Sequence, residues 1–281
     1  MLDLTPLHAA LALLVGVFTG VMSAAFGVGG AVISTPAVRA LGLSAIFAVG
    51  TTLPAILPSA VSGTARYANE GLIEWRVVAW TAPTGILAAV GGSFLSHAVP
   101  GHGHWLMILT AALLGYTAYR MSRPPRRPDD LRSEAEDEWV AVPAEHAAPS
   151  PTPVAGHDTA FVLALVGGGA GLMSGLLGIG GGVVMVPGFT EVARIPLKTA
   201  IATSLACVGI FAIPGTLTHW HLHDIDWWTA LFLSIGVIPG ARIGAHWAIK
   251  ASDRRLRLTV AGFLAVSAVI YGTGEVIALV R

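Results

Sequence analysis

Charged residues are scarce in this chain, and that scarcity indicates its class. Asp, Glu, Lys and Arg make up only 11% of the 281 residues, whereas soluble domains carry roughly 25%. Hydrophobic residues account for 54% of the chain and glycine for 34 positions, and membrane helices pack closely through small residues. These values exclude an ordinary soluble domain and indicate a protein embedded in a lipid bilayer. The net charge of zero gives no sign of a nucleic-acid partner.

Cysteine and candidate catalytic groups are also nearly absent. The single cysteine, Cys207, excludes an internal disulfide and any cysteine-rich metal site, and in its apolar surroundings we interpret it as a small packing residue. No nucleophile–base pair stands out, so we expect no enzyme, no cofactor and no metal. No Lys or Arg precedes the first apolar run, 7–26, which favours a permanent first helix over a secretory signal.

The charges that do occur are concentrated in one central segment. Five arginines, eight acidic residues and seven of the 17 prolines lie between Arg120 and Asp158. Such a composition cannot bury enough apolar surface to offset its ordering entropy. We therefore predict three parts: an N-terminal transmembrane repeat over 1–121, a disordered charged linker over 122–158, and a C-terminal transmembrane repeat over 159–281.

Each of these two repeats contains five apolar segments. They run over 7–26, 28–41, 45–66, 75–98 and 103–121, and over 160–177, 179–192, 199–219, 227–250 and 256–279. A full crossing takes about 20 residues, so the second segment of each repeat is too short. We predict that it is a half-helix or one arm of a re-entrant hairpin.

The two repeats are copies of one another. Residues 20–36 align without gaps on 171–187, with eight of 17 positions identical at an offset of 151. After one inserted residue the offset becomes 152 and pairs Thr51 with Thr203 and Trp75 with Trp227. Apolar composition alone would not match glycines, a proline and tryptophans at a constant spacing.

Equivalent loops of the two repeats carry opposite charge bias. Arg66 and Arg76 lie in the loop after the third segment, whereas its counterpart, 219–226, holds neither Lys nor Arg. The next loop reverses this bias, since 100–104 lacks Lys and Arg and 250–257 is basic. Because Lys and Arg favour the cytoplasmic side, we predict an all-α polytopic membrane protein of two inverted repeats, with the linker inside and both termini outside. Such repeats are typical of secondary transporters.

Duplicated glycine clusters are the strongest candidate for a functional site. Clustered glycines destabilise a helix by about 1 kcal/mol each, and non-helical backbone within a membrane is tolerated only where it lines a cavity or is buried in protein. A helix broken near the midplane would direct free N–H groups at a ligand and bind an anion. Tight helix packing through small residues is the alternative. The cluster residues are Gly27, Gly29, Gly30, Gly178, Gly180, Gly181 and Gly182.

Hydroxyl side chains form a second duplicated feature, near the start of the third segment of each repeat. These residues are Thr51, Thr52, Thr203 and Ser204. Their hydroxyls have the chemistry to complete a pocket for an oxyanion. Equally, Ser and Thr in membrane helices bond their own backbone or hold helices together.

Arg242 is the charged residue placed deepest in a predicted helix, about eight residues before Lys250. Intramembrane charges usually face the protein interior and mark solute or ion paths, so we expect Arg242 to contribute to anion binding. His246 lies four residues on, shares that helix face and is a candidate for proton coupling. The alternative is an arginine that extends to the membrane surface.

Three histidines over 219–224 also suggest a metal ligand set. We interpret them instead as a polar extracellular turn, because no second cluster of similar density occurs.

Together these motifs resemble the sulfite exporter TauE/SafE family, also called the 4-toluene sulfonate uptake permease family. The resemblance rests on the repeated Gly-x-Gly-Gly stretches followed by Pro36 and Pro187, and extends to 202–205, 215–227 and 240–245. It implies a secondary transporter of the bacterial inner membrane for sulfur-containing anions such as sulfite, thiosulfate or organosulfonates. The long charged linker departs from the short connections expected in this family.

The sequence therefore predicts a permease whose partners are a small anion and the lipid bilayer, and it is compatible with a homo-oligomer. Two other functions are kept as alternatives. One is a membrane-embedded enzyme, and the other is a structural or assembly protein that docks through its linker.

Overall fold

The computed structural model describes residues 6–98, 104–123 and 157–280. Within these ranges the chain is helical and contains no strand, as the all-α prediction requires. Most of the predicted linker, 124–156, lies outside the described residues, so its disorder and the three-part division stay predictions.

Five helices form each half. The first half contains α1 (Pro6–Phe26), α2 (Ala31–Ala40), α3 (Ala45–Ala68), α4 (Trp75–Ala98) and α5 (His104–Ser122). The second half contains α6 (His157–Leu177), α7 (Gly182–Pro187), α8 (Leu197–His221), α9 (Trp227–Lys250) and α10 (Asp253–Val280), with a π-helical turn, Gly188–Val192, after α7.

Seven helical stretches in the described part of the chain are long and apolar enough to cross a membrane, which confirms a polytopic membrane protein. The second segments are short, as predicted, but begin later than expected. The sequence places their starts at residues 28 and 179, whereas α2 begins at Ala31 and α7 at Gly182. The difference arises because the glycines before each helix form a turn instead of its first residues.

Each half completes the helix packing of the other. The first helix of each half packs along the fourth helix of its partner, α1 on α9 and α4 on α6. Glycines allow these backbones to touch: a Cβ at Gly20 would lie 2.9 Å from the Ala241 backbone nitrogen, and one at Gly175 would lie 2.8 Å from that of Ser93. Neither pair of helices has room for a side chain at these crossings, so the two halves form one bundle.

The third helices, α3 and α8, cross at the centre of this bundle. Leu53 contacts Gly215, Ala60 contacts Gly209, and residue 63 contacts residue 205. Residue numbers thus rise along one helix as they fall along the other, so these two equivalent helices run antiparallel. Which end of the bundle faces which side of a membrane stays a prediction from the Lys and Arg bias.

The predicted orientation is testable by cysteine labelling. Cys207 is fully buried, so the background reaction should be small. Asn69→Cys and His221→Cys place thiols at exposed positions at the ends of the equivalent helices α3 and α8. An impermeant maleimide should label Asn69→Cys only from the cytoplasmic side and His221→Cys only from outside. Labelling of both variants from the same side would contradict the inverted arrangement.

Candidate functional site

The two glycine-rich turns meet in the interior of the bundle. A Cβ built on Gly29 would lie 3.4 Å from the Gly180 Cα, and one built on Gly180 would lie 3.5 Å from the Gly29 Cα. These glycines occupy the same position in the two repeats. The structure therefore brings the duplicated motifs together, face to face, at one buried place.

Backbone conformation explains why glycine occupies these turns. Gly29 has φ of 82° and Gly180 has φ of 81°, while Gly27 and Gly178 both have φ of 66°. Residues with a Cβ rarely adopt such angles. The first two glycines of each motif therefore have matching angles, whereas the third pair differs, since Gly30 has φ of −63° and Gly181 has φ of 70°. The positive φ values require glycine at these positions for backbone conformation as well as for close helix packing.

Each turn leaves a run of main-chain amides without an acceptor. Gly27 N–H donates to the Ser23 carbonyl and Ile33 N–H to the Gly30 carbonyl, but no described residue accepts from the amides of 28–32. The same holds for 179–183 in the second half. All ten residues are buried. Buried amides without partners are rare in proteins, and consecutive amides in a turn are a recognised anion-binding arrangement.

Two aliphatic side chains cover the paired glycines. The Val208 Cγ1 atom lies 3.0 Å from the position of a Cβ on Gly29 and 3.2 Å from that on Gly180, and the Ile56 Cδ1 atom lies 3.7 Å from the latter. Ile56 and Val208 are equivalent residues at the offset of 152, and both are buried. Our sequence reasoning missed them, although this offset would have indicated the pair.

The predicted hydroxyls all have protein partners. Thr51 Oγ1 accepts from the Asp226 N–H at 2.9 Å, and Thr203 Oγ1 accepts from the Glu74 N–H at 3.1 Å. These two bonds are equivalent and join the third helix of each half to the residue preceding the fourth helix of the other. They correspond to the helix-bonding alternative that the sequence leaves open.

The other two hydroxyls donate to main-chain carbonyls. Ser204 Oγ donates to the Gly27 carbonyl at 2.7 Å, which fixes the first glycine turn to α8. Thr52 Oγ1 donates to the Val49 carbonyl at 3.0 Å and lies 3.3 Å from Thr35 Oγ1. All four predicted hydroxyl residues are fully buried. Their participation in anion binding stays a prediction.

Arg242 and His246 lie apart from the paired glycines. Both are exposed on α9 and line an open groove of about 510 Å³ beside Ser62 and Arg66 of α3 and Asn69, the residue after this helix. None of the glycines of the two turns lines this groove. Arg66 was not identified from the sequence as a neighbour of Arg242. The spacing of residues along a helix shows which of them share a face, but it does not show which other helix packs against that face.

The histidine segment is only partly an exposed turn. His221 and His223 are exposed, but His219 lies within α8, is 2% exposed, and places Nδ1 3.4 Å from Asp224 Oδ2. The interpretation as an extracellular turn is therefore wrong for His219, whose helix continues two residues further than predicted. Within the described ranges, no group of three His, Cys, Asp or Glu side chains is arranged to hold a metal ion.

Comparisons with known proteins agree with this arrangement. The family model described as Sulfite exporter TauE/SafE matches residues 12–271. The chain belongs to the TauE/SafE family. A probable membrane transporter protein of Xylella fastidiosa is 28% identical over 87% of both chains. The probable membrane transporter protein YjnA of Bacillus subtilis is 27% identical over 91% of this chain and 96% of its own length.

A third relative is much longer than this chain. The probable membrane transporter protein MamO of Paramagnetospirillum magneticum is 30% identical over 83% of this chain but only 38% of its own length. No solved structure matches. The family and the names of these relatives, together with the apolar helices, show that this TauE/SafE protein is a multi-pass membrane transporter.

The equivalent hydroxyl bonds of this TauE/SafE protein predict a stability defect rather than a binding defect. Thr51→Val leaves the buried Asp226 N–H without its acceptor and should lower the free energy of unfolding by about 1–3 kcal/mol. Thr203→Val does the same to the partly buried Glu74 N–H, which water can reach more easily, and should have a smaller effect. Thr51→Ser and Thr203→Ser retain the oxygen and should restore most of it. Thr259→Val is the control, because that exposed hydroxyl donates only to the Arg255 carbonyl of its own helix.

Unfolding of detergent-solubilised protein, followed by circular dichroism, measures these differences. If both valine variants unfold like the control but transport poorly, the hydroxyls act on the substrate instead.

Proposed function

We propose that this transporter carries small sulfur-containing anions, such as sulfite, thiosulfate or organosulfonates, across the bacterial inner membrane through a site formed by the two glycine turns. The proposal rests chiefly on one observation: the buried amides of 28–32 and 179–183 have no acceptor in the described part of the chain. The family description, sulfite exporter, supports the substrate class.

The chemistry of the turns favours an anion over a cation or an apolar solute. Amide N–H groups donate hydrogen bonds and carry partial positive charge, so a run of them stabilises oxyanions without any charged side chain. In a medium of low dielectric each such interaction is stronger than in water. A site without a full positive charge also avoids the cost of burying an arginine or lysine within the bilayer.

In the proposed mechanism this structure represents the closed state of the site. Ile56 and Val208 lie against the paired glycines and fill the space beside them. Because they sit on α3 and α8, which cross at the centre, a small change in that crossing would move one of them away. Alternating access then consists of rocking one pair of packed helices against the other about this crossing. The first pair is α1 with α9, and the second is α4 with α6.

Flux measurements test the substrate class directly. Purified protein in liposomes should give saturable flux of radiolabelled sulfite, thiosulfate or sulfoacetate, and unlabelled sulfite should compete. Protein-free liposomes and an uncharged solute of similar size are the controls. Folded protein that shows saturable flux of none of these anions would argue against the proposed substrates.

Substitutions at the central glycines test the site. Gly29→Val or Gly180→Val places a β-branched side chain at a positive φ and against Val208, so transport should be nearly abolished while the protein still inserts. Gly71→Val is a matched control: Gly71 also has a positive φ, 66°, but no atom lies within 4 Å of its Cβ position. Gly71→Val should therefore lose some stability through backbone strain and keep its transport rate.

The readout is transport per molecule of membrane-inserted protein. Wild-type rates in both Gly29→Val and Gly180→Val would show that these glycines only pack helices and that the substrate path lies elsewhere.

A further inference from the structure

A basic groove lies between α3 and α9, away from the glycine turns. Ser62 Oγ donates to the Ile238 carbonyl at 3.1 Å and joins the two helices at one end of it. Toward the end of α9 that carries Lys250, the groove is lined by Arg66, Asn69, Arg242 and His246. Residues four apart on each helix thus face one another across an open space of about 510 Å³.

The groove carries more positive than negative charge. Arg66 pairs at 2.7 Å with Glu70, which lies in the turn after α3, so this carboxylate neutralises one guanidinium. Arg242 makes no hydrogen bond or ion pair with any other residue that the structure describes. Its guanidinium is therefore free to bind an external anion, with the Asn69 amide and the His246 ring beside it.

Apolar side chains surround this basic groove on the outer face of the bundle. Val61 is 69% exposed, Ile243 is 58% exposed, and Ile238 and Trp247 are each 42% exposed. The opposite face of α9 is buried at Ala241, Ala245 and Ala248. In a membrane the exposed face meets lipid, so positively charged groups near the helix end border a surface suited to acyl chains.

We propose that this groove binds the phosphate headgroup of an anionic phospholipid. Guanidinium groups match phosphate oxygens in a bidentate geometry, and basic pockets between membrane helices on the cytoplasmic side are suited to anionic headgroups. Arg242 and Arg66 hold the phosphate, and Asn69 and His246 lie within the same groove. The acyl chains lie along Val61, Ile238 and Ile243. A bound lipid would join α3 to α9 beyond the Ser62–Ile238 hydrogen bond, across the contact between the two repeats.

Lipid retention measured without any transport assay tests this inference, so its outcome is independent of the proposed substrate. Native mass spectrometry of the full-length protein should show retained phosphatidylglycerol and little phosphatidylcholine. Because loss of one guanidinium–phosphate contact of about 1.4 kcal/mol corresponds to a tenfold change, Arg66→Gln and Arg242→Gln should each reduce retention about tenfold. Arg242→Lys keeps the charge and should retain an intermediate amount.

Arg255→Gln is the matched control, since this exposed arginine follows α9 and does not line the groove. Its phosphatidylglycerol retention should equal that of the wild-type protein. Equal retention in Arg66→Gln, Arg242→Gln and Arg255→Gln would overturn the inference, because binding would then follow overall charge. Displacement of the lipid by millimolar inorganic phosphate would overturn it as well and assign the groove to free anions.

Discussion

Main-chain hydrogen bonding in the absence of water is the constraint on which this structure depends. A membrane helix satisfies its own backbone, and a chain that leaves the helix within the bundle must be enclosed by protein. Here two helices, α1 and α6, end inside the bundle, and the turns that follow leave the amides of 28–32 and 179–183 without acceptors. Gly27 and Gly178 permit the turns, and the Ser204 hydroxyl bonds the Gly27 carbonyl. The remaining helices enclose these two turns, whose main-chain amides α1 and α6 do not satisfy.

The two halves depend on each other to build that enclosure. Thr51 of the first half accepts from the Asp226 N–H of the second, and Thr203 of the second accepts from the Glu74 N–H of the first. The helix packing follows the same pattern, because α1 of the first half packs on α9 of the second and α6 of the second packs on α4 of the first. Neither half would bury its own glycine turn, since Ile56 and Val208 come from different repeats and cover the same pair of glycines. The glycine motif that is duplicated in the sequence therefore forms a single buried contact in the structure, to which both halves contribute.

Most of the fold could be predicted from the sequence, because long apolar runs and repeated glycines are local signals. The helices 227–250 and 75–98 have the predicted bounds. Partners distant in the chain could not be predicted: Thr51 bonds a residue 175 positions away. The same limit applies to Arg242. Its distance from the helix end at Lys250 could be read from the sequence, but its exposure depends on which face of α9 packs against α1 and α3. His219, the last residue of its predicted apolar run, is buried inside α8, with Nδ1 3.4 Å from Asp224 Oδ2.

The two repeats share the glycine motif but differ at the arginines that line the basic groove. At the offset of 152, Arg66 corresponds to Thr218 and Arg242 to Val90, so the basic groove has no basic counterpart in the other half. In an inverted pair, equivalent surface positions lie at opposite membrane faces, and only one face favours Lys and Arg. The centre is subject to no such difference, because the glycine turns approach it from both halves. Different charge at these positions, with matching φ angles kept at Gly29 and Gly180, is what the predicted inverted arrangement requires, because equivalent ends of the two repeats would then face different sides of the membrane.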